Sequence, residues 1–312
     1  MATAFGLDIT AERPVSLLAH ARALPTGRTL ALRWGEEDEE QAWPLDAQAI
    51  CTRRDAEGSP EFAIAAHDHA GYRIWGRGRG CYLLSRDGRR VHALAEGASQ
   101  ASCARFLIGQ VLPFAALLSG LEIFHASAVS LGDGAVAFVG PSGAGKTSLA
   151  LELCRRGAVF LADDVLALEV DDGVVIAHPG TPVAGVALAE LDRLAAAGRP
   201  LAGADLGGDS RERLFGLQGA RAPVPLHALF FLQRVAQELP DARFEPVGDA
   251  LTLLAATFNF ALETPQRSRG LLEVCALIAR RRVERVCIGA SLDPAALADA
   301  VIARLHGSGG SG

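Results

Sequence analysis

Residues Val139 to Ser148 read VGPSGAGKTS and contain the only lysine, Lys146, in a chain of 312 residues. Every other basic residue among the 30 lysines and arginines is an arginine. A chain that uses a guanidinium everywhere else and an ammonium here marks a position where the planar fork does not serve. Gly140-x-x-x-x-Gly145-Lys146-Thr147 fits the pattern of a phosphate-binding loop. Glycines let successive backbone N–H groups turn inward on a phosphate, and a helix N-terminus adds its partial positive charge. On this reading Gly140, Pro141, Ser142, Gly143, Ala144, Gly145, Lys146, Thr147 and Ser148 cradle a nucleotide. Lys146 reaches the β- and γ-phosphates as a flexible point charge, and the Thr147 hydroxyl ligates Mg²⁺.

The flanks agree with the loop. AVAFV (135–139) is an apolar run of buried-strand type, and TSLALELCRR is helical, with Gly157 as its C′ residue. AVFLA (158–162), LALEV, a DDG turn at 171–173 and VVIAH (174–178) follow. Strand, loop, helix, strand and hairpin in that order predict an α/β sheet of mixed direction. Farther on, HALFFLQRV (227–235) and VERVCIGA (283–290) read as strands. Ala250 to Leu262 and Gly270 to Arg282 read as helices, with TPQRSR (264–269) as a polar turn between them. A last helix has Asp293 as N-cap and Pro294 at its first position.

Upstream, TLALRW, FAIAA, YRIW and CYLL are short apolar runs broken by turn signals, which predicts a small strand-rich domain over 1–100. The acidic run GEEDEEQ (35–41) reads as a solvated loop. An apolar helix at roughly 102–119 then opens a P-loop domain reaching residue 306. The segment 307–312 reads as a flexible linker or tag remnant.

Half of the residues are hydrophobic and 21% are charged, a globular composition. The net charge of −6 argues against a grip on nucleic acid or on an anionic membrane. The stretch Phe106 to Phe124 is apolar, but Gln110, Pro113 and Glu122 interrupt it, so a buried helix is expected rather than a membrane span. Six scattered cysteines show no zinc spacing and read as reduced thiols. With no basic and then apolar N-terminal segment, a secretory signal is not expected, and a cytoplasmic location is.

AVFLADDV places Asp163 and Asp164 at the end of the strand after the loop, next to the phosphates. One carboxylate can hold Mg²⁺ while the other takes a proton from an attacking hydroxyl. The alternative, an ordinary metal acid beside a turn-capping one, stays open. His125, in LEIFHASAVSL, lies just before the strand that feeds the loop. A lone histidine in an apolar stretch is more often a core residue.

Together FHASAV (124–129), GPSGAGKTS (140–148), ALELCRRG (150–157) and FLADDV (160–165) resemble the HPr serine kinase/phosphorylase family. The fold implied is an HPr-kinase-like P-loop core, a mixed β-sheet flanked by helices. The resemblance implies an ATP- and Mg²⁺-dependent kinase in which His125 lies near the transferred phosphate. It makes Asp163 the general base, and Asp164 with Thr147 the support for Mg²⁺. The family's E-x-R-G-x-G-like segment is missing after residue 170. The layout is closer to the shorter HPr-kinase-like group that includes kinases tailoring lasso-peptide precursors. That resemblance implies a serine on a peptide or small protein as acceptor, and it makes self-association plausible.

Within that resemblance GGDSRERLFGLQGARAPVPL (207–226) supplies Asp209, Arg211 and Arg213, candidates for gripping the substrate or the γ-phosphate. A polar loop leading into a strand explains the same residues. A small-molecule hydroxyl kinase would share all the core motifs. A regulator that binds ATP without transferring phosphate would need only one of the two acids.

Overall fold

The structure, a computed structural model, describes residues 1–21, 25–35, 42–94, 97–247, 251–258 and 265–307. All element counts refer to these residues. The acidic segment 36–41, residues 259–262 of an expected helix, Thr264 and the segment 308–312 lie outside them. The fold is mixed α/β and rich in strands, with three sheets and few helices.

The first sheet comprises β1 (Ala2–Ala4), β2 (Leu7–Ala11), β3 (Thr29–Trp34), β4 (Gln48–Arg54), β5 (Pro60–His67), β6 (Gly71–Gly76), β7 (Gly80–Leu84) and β8 (Arg90–Leu94). Its order is β1-β2-β3-β8-β7-β6-β5-β4. Period-two alternation drives it, because Leu30 and Leu32 of β3 or Tyr72 and Ile74 of β6 point inward while their neighbours do not. Helix α1 runs from Gln100 to Leu118, with one π-turn at Leu107–Val111. By length and composition it could cross a bilayer. Here its Phe106, Leu107, Val111, Phe114 and Leu117 pack with the inward residues of this sheet in one core. That core also takes in Ile123, Val165 and Val183 from farther along the chain.

The second sheet carries the loop. β9 (Glu122–Phe124), β10 (Ala126–Leu131) and β11 (Gly134–Val139) lead into α2 (Lys146–Arg155). β12 (Val159–Ala162) and a hairpin of β13 (Leu166–Asp171) and β14 (Val174–His178) follow. β15 (Val183–Ala187), α3 (Leu188–Ala196), β16 (Ala204–Gly208) and β17 (Glu212–Gly216) come next. The remaining elements are β18 (Val224–Arg234), β19 (Arg243–Pro246), α4 (Leu251–Leu254), α5 (Pro265–Ala279), β20 (Arg282–Ile288) and α6 (Pro294–His306). The eleven-residue β18 holds the sheet together: it pairs in parallel with β11 and β20 and, at its start, antiparallel with β14. β15, β17 and β16 form a separate three-stranded sheet.

The strand after α2 does not lie beside β11, because β10 pairs with both β11 and β12 and separates them. The helix expected from Ala250 ends at Leu254, and Thr257 bridges to Phe124 while the Phe258 N–H donates to Ile123. The free edge of β9 outcompetes further helix there. The TPQRSR segment is helical from Pro265, a residue suited to a first helical position. Its Arg267 donates to the Leu117 carbonyl at 2.7 Å and pairs with buried Glu122 at 3.0 Å, which ties α5 to the end of α1. Arg282, expected to end that helix, begins β20.

Candidate functional site

The loop joins the end of β11 to α2. Gly145 is the N-cap of α2, in the left-handed region at φ 99°, with no side-chain cap and no acid in the first turn. The first N–H groups of α2 and their partial positive charge therefore lack a compensating side chain. The loop is laid over the end of β18: a Cβ at Gly140 would stand 2.7 Å from the Leu232 carbonyl oxygen. A Cβ at Gly145 would stand 3.4 Å from the Arg234 guanidinium.

Lys146 is only 6% exposed. Its Nζ donates to the Gly140 carbonyl at 2.9 Å and to that of Pro141 at 3.4 Å. Among the described residues no carboxylate pairs with it. A buried ammonium must be hydrogen-bonded or paired, and two carbonyls leave one of its three N–H donors for a ligand.

The ends of β11 and β12 and the start of β10 meet at one edge of the sheet, since Ala126 pairs with Val139 and Ala128 with Ala162. This register brings Asp163 to the helix start. Its Oδ1 accepts from Thr147 Oγ1 at 2.8 Å and from Ser127 Oγ at 2.6 Å, while Oδ2 accepts from the Gly185 N–H at 3.1 Å. Burial, and after it the charge of Asp164, push the Asp163 carboxyl up to about 6 against the pull of those three hydrogen bonds.

Asp164 sits at φ 62°, and the Val165 N–H donates to the Asp163 carbonyl at 2.8 Å. This is a γ-turn of the strained, positive-φ kind. It leaves the Asp164 side chain exposed and aims its carbonyl at His125, whose Nδ1 lies 2.9 Å away. A carbonyl only accepts, so in the neutral ring Nδ1 carries the proton and Nε2 is the basic nitrogen. The His125 N–H donates to the Ala256 carbonyl at 2.6 Å, which fixes the residue from the other side.

The structure thus brings Lys146, Thr147, Asp163, Asp164 and His125 together. It places the loop hydroxyl on Asp163, the first acid, whereas the family resemblance links Thr147 with Asp164. It does not bring Arg211 and Arg213 to the loop. Arg211 is exposed in the turn between β16 and β17, where its N–H donates to Asp209 at 2.7 Å. The Arg213 guanidinium pairs with Asp205 at 2.6 Å. The sheet that carries them reaches Asp163 through the main chain of Gly185 instead. Over Gly185 lies the Glu212 carboxylate, 3.2 Å from where a Cβ would be, and Glu212 pairs with Arg105 of α1.

Among the described residues no group of three or more His, Cys, Asp or Glu side chains could hold a metal ion. Mg²⁺ needs only one or two protein oxygens and fills the rest of its shell with water and phosphate. The Thr147 hydroxyl and the Asp163 carboxylate meet as two hard oxygen donors at one point, so the residues present suit that ion.

Three site residues escape a reading of the sequence. Ser127 had a signal, being two residues after His125 and so on the same side of an extended chain. Arg234 is the first charge after the apolar run of β18, but nothing local says that β18 lies beside β11. Gly185 acts through its backbone and leaves no trace in the sequence.

No protein-family profile matches the chain, and no curated protein does. Among solved structures it is similar to the Hpr(Ser) kinase/phosphatase from Coxiella burnetii, at 15% identity, over 60% of this chain and 99% of that one, with a TM-score of 0.31. A likeness of that size says nothing about individual residues.

Proposed function

We propose that the chain is a kinase that binds ATP with Mg²⁺ on the loop 140–148 and transfers the terminal phosphate to a hydroxyl. The observation that carries this reading is the meeting of Thr147 with Asp163 beneath the uncapped start of α2. Lys146 and the N–H groups of Gly145 to Ser148 hold the phosphate chain, and Thr147 and Asp163 supply the protein oxygens for Mg²⁺. The bound ion neutralises charge on the β- and γ-phosphate oxygens. Asp163 already accepts three hydrogen bonds, whereas Asp164 is exposed beside His125. The geometry therefore favours Asp164 as the acceptor of the hydroxyl proton, with His125 Nε2 placed to steady charge near the transferred group. This reverses the division of labour implied by the family resemblance.

The acceptor hydroxyl attacks the γ-phosphorus, the bond to the β-γ bridging oxygen breaks, ADP leaves, and the hydroxyl proton passes to the carboxylate. A serine on a peptide or small protein is the acceptor the family resemblance supports. The test is transfer of label from γ-labelled ATP into polypeptides of a source-cell extract, comparing wild type with Asp163→Asn. Label in a polypeptide with wild type alone supports the reading. Equal release of free phosphate by both proteins overturns it.

A further inference from the structure

Strand β15 lies at the edge of its sheet and pairs with β17 on one side alone. In an antiparallel pair alternate residues turn both main-chain groups toward the partner, and the residues between turn theirs away. The Leu217 N–H donates to the Pro182 carbonyl at 2.8 Å and the Leu188 N–H to the Arg211 carbonyl at 3.1 Å. The even residues therefore serve β17, and Val183, Gly185 and Ala187 face outward. This outward edge points into the candidate site, because its Gly185 N–H is the group that donates to Asp163 at 3.1 Å. At the Val183 end the edge is buried, and the Val183 N–H donates to the Thr181 carbonyl at 2.8 Å. Ala187 is the N-cap of α3, and the carbonyl of an N-cap accepts the first hydrogen bond of its helix. One acceptor and one donor remain toward the open end: the carbonyl of half-buried Gly185 and the N–H of exposed Ala187. Neither has a hydrogen-bond partner among the described residues.

Resting on the kinase reading, we infer that the β15 edge clamps the acceptor polypeptide by the main chain of its phosphorylated residue. The N–H of that residue donates to the Gly185 carbonyl, and its carbonyl accepts from the Ala187 N–H. A carbonyl and an N–H two residues apart on one edge are the groups that bracket a residue of a parallel strand, here the residue opposite Val186. Residues paired across a sheet point their side chains to the same face. Ala184 and Val186 pack with Leu151 of α2 and Phe160 of β12. The side chain of the bound residue therefore projects on the side of α2, next to Asp163. Asp163 fills the place opposite Gly185, so the acceptor chain turns away before the bound residue and the ladder is one residue long. Past Ala187 the edge is open, which lets the chain continue into solvent. The clamp reads backbone and so takes a polypeptide, by a short form of strand addition.

Ala187→Pro removes the donor and keeps the fold. The residue sits at φ −59° and ψ 143°, which proline adopts without strain, and Val186 before it is extended. Ala187→Ser keeps the N–H and serves as the comparison, serine being suited to an N-cap. Both variants and wild type enter the labelling experiment with γ-labelled ATP and source-cell extract, and the polypeptide that wild type labels is then isolated as substrate. The expected result for Ala187→Pro is a KM for that polypeptide raised roughly tenfold or more, with the affinity for Mg²⁺ and ATP kept. Ala187→Ser should match wild type. A synthetic copy of the polypeptide with the amide nitrogen of the acceptor residue methylated should show a similar rise with wild type, since it has lost its donor to Gly185. An equal KM in all three proteins, or an equal loss in Ala187→Ser and Ala187→Pro, would overturn the inference and leave the kinase reading standing. Label entering small molecules alone would do the same. Equal release of free phosphate by wild type and Asp163→Asn would remove the kinase reading, and this inference with it.

Discussion

The Thr147 hydroxyl donates to the Asp163 carboxylate at 2.8 Å across 16 residues of chain. That bond joins the first turn of α2 to the end of β12, with β10 between the strands, and it decides which of the two acids meets the loop hydroxyl. Asp163→Asn should abolish the Mg²⁺-dependent part of nucleotide affinity. Asp164→Asn should keep that affinity within about twofold and lower transfer by roughly 10²- to 10⁴-fold. Isothermal titration with and without Mg²⁺, beside a transfer assay, separates the two. The opposite pattern would restore Asp163 as the base.

Capture of Mg²⁺ and nucleotide by the free protein, read as kcat/KM, should fall as the pH drops through about 6, where the unliganded Asp163 takes up a proton and loses its hold on a cation. Ser127 donates to the ionised form and so holds the pKa down. Ser127→Ala should move the acid limb of the pH–rate profile upward by about one unit, since a hydrogen bond to a charged group contributes about 1.5 kcal/mol or more. An unmoved limb would show that another group controls it.

Lys146→Arg keeps the charge but must fit a planar fork into a site that is 6% exposed and shaped by two loop carbonyls. Nucleotide affinity should fall by roughly 100-fold or more, with transfer lost in proportion. Normal transfer by this variant would remove the reason given for the chain's single lysine.

Arg234 packs beside Gly145 at the helix start. Arg234→Ala should weaken nucleotide binding about tenfold, the scale of one charge-assisted hydrogen bond, without a change in thermal stability. Gly145→Ala should cost about 1 kcal/mol or more, because φ 99° strains any residue with a Cβ. Equal affinities for Arg234→Ala and wild type would place the guanidinium outside the phosphate site.

The buried pair of Glu122 and Arg267 gives a stability prediction with a definite sign. Burial pushes Glu122 up to about 7 even though Arg267 opposes it, and burial likewise lowers Arg267. A carboxyl whose folded pKa is raised binds more protons folded than unfolded between about 4.5 and 7. Its contribution therefore weakens stability as pH rises through that window. Arg267→Met leaves Glu122 without its cation and should cost about 3 kcal/mol at pH 8, but clearly less at pH 5, where the carboxyl is neutral. Urea midpoints at the two pH values check this, and equal losses would rule it out.

Much of the site was legible because its parts are local. The loop, α2 and the turn after β12 lie within a few turns of chain, where glycine placement, apolar runs and helix signals act on near neighbours. The N-cap at Asp293 and the hairpin at Asp171 to Gly173 were readable for the same reason. The end of α4 was not, because the unpaired edge of β9, more than a hundred residues away in sequence, competes for its backbone. The polarity of TPQRSR misled in the same way, since Arg267 is satisfied by Leu117 and Glu122 rather than by water.

The sequence by itself determined that a glycine loop with one lysine opens a helix, that two adjacent acids follow the next strand, and that a strand-rich segment comes first. Only the tertiary structure decided that Asp163 rather than Asp164 receives the Thr147 hydroxyl, that Arg234 rather than Arg211 or Arg213 stands at the loop, and that Gly185 lends its N–H to the site. Strand order and register made those choices. Hydrogen-bonded neighbours in a sheet are set by which apolar faces can be buried together over the whole chain, and no local stretch carries that information.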